Sequence, residues 1–81
     1  MDRIEYTVSR MLLNGTSRSH SYPGGDLERY ANRFFDKCVV DNETVMVMLI
    51  KRTVIDGMVI ISEVIRWHFN STRLDGSATP L

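Results

Sequence analysis

Glu43–Phe69, ETVMVMLIKRTVIDGMVIISEVIRWHF, makes up a third of the chain and decides its fold. Two runs rich in β-branched residues flank Asp56-Gly57, the residue pair suited to the positive φ of a two-residue type I′ turn. The stretch therefore predicts a hairpin in which Ile55 faces Met58, Leu49 faces Val64 and Val47 faces Arg66. A bulged three-residue loop would shift that register by one and exchange the faces.

Both sides of the hairpin are apolar. On the first of its strands Val45, Val47, Leu49 and Ile55 share one parity, and Met46, Met48, Ile50 and Val54 the other. On the second, Met58, Ile60 and Val64 oppose Val59, Ile61, Ile65, Trp67 and Phe69. A sheet with one wet side alternates apolar with polar, whereas near-continuous apolar runs are covered on both sides.

Working outward, Arg3–Leu13 alternates, with Ile4, Tyr6, Val8 and Leu12 on one side and Arg3, Glu5, Thr7 and Ser9 on the other, which predicts a strand with one buried face. Arg10 interrupts the apolar side, either as the strand emerges into water or as a placed charge. The following NGTSRSHSYPGG is rich in turn formers and reads as a loop. Leu27, Tyr30, Ala31, Phe34 and Cys38 recur at helical spacing, with Phe35 beside them, and predict one amphipathic helix over 26–38 with Asp26 as its cap. Beyond Asn70 no periodic apolar content remains, so 70–81 reads as a disordered tail after a single domain at 1–69.

The predicted fold is α+β, in the order β-α-β-β: a three-stranded, mainly antiparallel sheet with the helix packed on one face. The first strand is placed beside the third, and the helix over Ile61, Ile65, Trp67 and Phe69. One helix cannot cover both faces. Apolar surface is worth about 25 cal/mol per Å², so five or six uncovered aliphatic side chains forfeit several kcal/mol, comparable to the whole stability of a small domain. The face with Val45, Val47, Leu49, Met58, Ile60 and Val64 is accordingly expected to associate with a second copy or to bind another protein. The bland alternative is that the first strand or the long loop folds over it. Met11, Met46, Met48 and Met58 lie in strand segments, as adaptable contact residues or plain core filler.

The totals narrow the chemistry. Ten basic and ten acidic residues cancel, leaving no general field to attract nucleic acid or an anionic membrane. A single cysteine, Cys38, excludes an internal disulfide and a cysteine-based zinc cluster, and a reducing compartment fits best. The start lacks a signal-peptide pattern and no apolar run spans a bilayer, so the expected localisation is cytoplasmic, without membrane association. Neither His20 nor His68 has a second ligand at metal spacing, and no metal or cofactor is expected. Cys38, on the apolar stripe, reads as a small buried hydrophobe, and no catalytic residue is assigned.

Two local constellations remain. Arg18 and His20, with Gly24 and Gly25 before the helix, form a possible anion site, although the spacing is not that of a P-loop. Arg66 and His68, alternating with Trp67 and Phe69 in one strand, and Lys51 and Arg52 across the hairpin are possible contacts for single-stranded nucleic acid or an acidic partner. The favoured function is a non-enzymatic protein–protein interaction module, a homodimeric inhibitor or adaptor; the alternative is a small single-stranded nucleic-acid-binding module using the hairpin. In size, lack of a secretion signal and one-helix layout, the chain looks like the small viral proteins that bacteriophages use to block host machinery, anti-CRISPR proteins among them. That resemblance covers the general plan and implies a host-cytoplasmic inhibitor; it assigns no residue.

Overall fold

The computed structural model describes residues 2–70. It is an α+β fold with one α-helix on an antiparallel sheet, in chain order β1 (Asp2–Leu12), β2 (Ser17–Pro23), α1 (Glu28–Val40), β3 (Thr44–Ile55) and β4 (Met58–Phe69). The sheet has four strands, in spatial order β2-β1-β3-β4, every neighbouring pair antiparallel. The tail expected over 70–81 lies, apart from Asn70, outside the described residues.

The additional strand is β2, drawn from the segment read as a loop. Its sequence SRSHSYP alternates small with large residues rather than polar with apolar. On one side Ser21 and Ser19 meet Thr7 and Ser9 of β1 through hydroxyl contacts of 3.2 and 3.3 Å. On the other side the His20 ring lies 4.7 Å from that of Tyr22 and 5.5 Å from that of Phe34 on α1. The turn before it is closed by Asn14, whose Oδ1 accepts from the Thr16 backbone N–H at 3.0 Å and from its hydroxyl at 2.7 Å, an Asx turn.

This strand corrects the topology as well as the count. Because β2 doubles back along β1, the chain leaves α1 with its direction reversed and β3 can pair beside β1 antiparallel. β1 and β3 therefore pair without a parallel crossover, and β1 does not lie beside β4 as expected.

The position of β1 also decides which face the helix covers. Val8 pairs with Leu49 and Arg10 with Val47, so the apolar side of β1 adds to Val47 and Leu49, while its other side offers Glu5, Thr7 and Ser9. The helix takes the first option. Val8, Val47 and Leu49 are 0% exposed, in one cluster with Tyr6, Ala31, Phe35 and Cys38. The stripe of α1 is thus centred on Phe35, with Phe34 half-buried and Tyr30 in solvent. The expected helix position over Trp67 and Phe69 is corrected: both lie on the opposite face.

Asp26 does not cap the helix. A short 3-10 turn, Gly25–Leu27, precedes α1, so Asp26 sits inside that turn, and no side-chain cap bond forms. Gly24 has φ 143°, and a Cβ there would meet Asp26 Oδ1 at 2.8 Å, which makes it the residue that turns β2 into the helix. Arg10 is a placed charge. Its Nη1 donates to Asp41 Oδ2 at 2.9 Å and to Thr44 Oγ1 at 3.3 Å, tying β1 to the end of α1 and the start of β3.

The hairpin turn is as predicted: Asp56 and Gly57 have φ of 51° and 80°, and Ile55 faces Met58. Further from the turn, β4 carries two residues without partners. Val54 pairs with Val59 but Thr53 with Ile61, leaving Ile60 over; Ile50 pairs with Val64 but Leu49 with Arg66, leaving Ile65 over. These bulges shift the expected pairs, so that Leu49 faces Arg66 and Val47 faces His68.

Candidate interaction surface on the outer strand

The helix lies over β1 and β3 and stops short of β4. Its main reach to that strand is through Arg66, whose Nη1 donates to Asn32 Oδ1 at 2.7 Å and whose Nη2 pairs with Asp36 Oδ1 at 2.9 Å. The guanidinium carbon sits 4.2 Å from the Phe35 ring centroid, so the charge closes the margin of the core. Beyond it, eight of the twelve residues of β4 are large apolar side chains that remain exposed.

The exposed set has two parts. On the face away from the helix, the exposed Phe69, Trp67, Val64 and Val59 form an apolar strip with their partners across the hairpin, the half-buried Met46, Met48 and Ile50 and the buried Val54. Trp67 is 67% exposed and Val64 50%. Toward β1 the same face becomes polar, with Glu5 and Ser9. The second part is the outer edge of β4, which pairs with no strand among the described residues and belongs to a strand of twelve residues without proline or lysine. Native edges are usually short, charged or interrupted by proline, since an unpaired row of N–H and C=O groups recruits other strands. This edge is long and apolar.

Of the association residues read from the sequence, Met58, Ile60 and Val64 are exposed, whereas Val45, Val47 and Leu49 are buried, the last two in one cluster with α1, and are corrected to core positions. Their places on the outward side of β3 are taken by Met46, Met48 and Ile50. The missed signal was the polar side of β1: once β1 lies next to β3, the helix has only one apolar face to cover.

The cationic candidates are divided between the two faces. Lys51, Arg66 and His68 are on the helix side, Arg66 already engaged by Asn32 and Asp36, while Arg52 lies on the strip side with Trp67 and Phe69. Arg18 and His20 do come together, lining a cleft of about 370 Å³ with Arg10, Ser19 and Phe34. Gly24 and Gly25 are at the opposite end of β2 and take no part in it.

No described group of three or more His, Cys, Asp and Glu side chains is placed to hold a metal. His20 and His68 stand on the two outer strands, three strand spacings apart, on the order of 14 Å. Cys38 is 1% exposed, and burial pushes its thiol up; Arg10 pulls the other way and Asp41 adds to the rise. Native protein at pH 8 should accordingly react with a thiol reagent at least about 100-fold more slowly than unfolded chain, because labelling must await opening of the core. Labelling at the unfolded rate would place Cys38 outside that core.

No helix among the described residues is long and apolar enough to cross a membrane. Comparison with known families, with curated proteins and with solved structures finds no match.

Proposed function

We propose that this chain is a non-enzymatic protein–protein interaction module that works as a homodimer and covers a surface of a larger protein, as an inhibitor or adaptor. The observation that carries this reading is β4, with its exposed apolar residues on a strand that no element among the described residues covers. The free edge suits a strand of another copy, and the strip from Phe69 to Val59 suits an apolar surface on a target. Methionines 46 and 48 lend that strip adaptable side chains, and Trp67 is the large aromatic anchor around which interface energy concentrates.

Affinity capture from a lysate tests the reading, with the unmodified chain and Trp67→Ser as baits and with nuclease-treated and untreated arms. The expected result is a protein retained at high salt, indifferent to nuclease and lost with Trp67→Ser. The exposure of Trp67 on the same face as Arg52 gives the nucleic-acid alternative its one supporting observation. Retention that requires nucleic acid and falls steeply with salt would favour that alternative and contradict the proposal.

A further inference from the structure

We infer that a second copy of this chain pairs antiparallel with β4 about a two-fold axis between Val64 and Ile65, setting Glu63 opposite Arg66 of the other copy. The inference rests on the reading of β4 as an interface and adds its register.

Residues opposite one another in an antiparallel pair point to the same face, and faces alternate along a regular strand. A regular strand can therefore pair with its own copy only about an axis through a residue. β4 is not regular. Ile61, Glu63, Arg66 and His68 pair with Thr53, Lys51, Leu49 and Val47 and share the helix side; Ser62, Val64 and Trp67 pair with Arg52, Ile50 and Met48 and share the other. Because Ile65 is inserted, the faces of Ile61, Ser62 and Glu63 are repeated in reverse order by those of Arg66, Trp67 and His68, about a centre between Val64 and Ile65.

About that centre, Glu63 meets Arg66, Ser62 meets Trp67 and Ile61 meets His68, each twice by symmetry. An axis through Val64 or Ile65 instead sets residues of opposite faces against each other. Charge agrees with face. Glu63 forms no ion pair with a described residue, Lys51 opposite it included. Arg66 is held in place by Asn32 and Asp36, and its guanidinium has donors beyond the two they occupy.

A bulge ordinarily protects an edge, because an incoming straight strand meets two residues where it offers one. Here the bulge at Ile65 faces that of the other copy and the extra residues balance, while the bulge at Ile60 lies outside the paired stretch from Ile61 to His68. The product is a continuous antiparallel sheet with both helices on one side and the two apolar strips adjoining on the other. The strip proposed to seat a target is thus enlarged by dimerisation.

Cysteine cross-linking tests the register. Ser62→Cys and Trp67→Cys are each made in a Cys38→Ala background, oxidised separately and as a mixture, and run on a non-reducing gel, with sedimentation of the same samples. Opposed Cα atoms about 4.5–5.5 Å apart suit a disulfide, while Ser62 and its own copy stand on the order of 17 Å apart. The expected result is covalent dimer in the mixture and none in either variant alone. Ile61→Cys with His68→Cys is an independent pair should Trp67→Cys weaken association. A dimer by sedimentation in which neither mixture cross-links, or in which the single variants cross-link equally well, overturns the register and leaves the interface standing. A monomer overturns both.

Discussion

Leu49→Ala is expected to destabilise the fold by about 2–5 kcal/mol, the range for removing a fully enclosed leucine whose surroundings relax only in part. Leu49 is 0% exposed, between Val8 on β1 and the helix residues Ala31, Phe35 and Cys38 of the same cluster. Chains of this size hold about 5–15 kcal/mol at most, so much of the margin would go and the thermal midpoint should fall by on the order of 10–20 °C. Thermal or urea unfolding followed by far-ultraviolet circular dichroism measures it. A change below about 1 kcal/mol would mean that the helix does not close over this face.

Val64→Lys is expected to leave stability within about 0.5 kcal/mol and to abolish self-association. Val64 is half-exposed, on the face of β4 away from the helix. Across the proposed two-fold axis, however, two lysines would be brought together in a closing apolar contact. Like charges so placed cost several kcal/mol, so dimer dissociation should become easier by about two orders of magnitude or more. Sedimentation of the variant reads the association and urea unfolding reads the fold. Unfolding without a change in association would make β4 a core strand and not an interface.

The contrast between these residues shows what the sequence discloses. The hairpin was legible because Asp56-Gly57 is a local signal that no tertiary contact overrides, and α1 was legible from the spacing of Ala31, Cys38 and their neighbours. The exchange of Val47 and Leu49 for Met48 and Trp67 as outward residues was not. It depends on β1 lying beside β3, which depends on β2, and β2 is written in serines, Arg18, His20 and Tyr22, whose alternation is one of size. An edge strand held by hydroxyl contacts and one aromatic cluster needs no apolar face. The bulges at Ile60 and Ile65 carry no glycine or proline to announce them, yet they decide on which side Val64, Trp67 and Phe69 emerge. The general inference that one helix leaves part of the hairpin uncovered did not depend on those details, whereas the identity of the site residues did.

Sedimentation equilibrium of the unmodified chain at about 10 μM is the most direct test of whether β4 is covered by a second copy. Twice the chain mass, falling to a single chain with Val64→Lys, is the predicted result. A single-chain mass for the unmodified protein, with its fold intact, would contradict it.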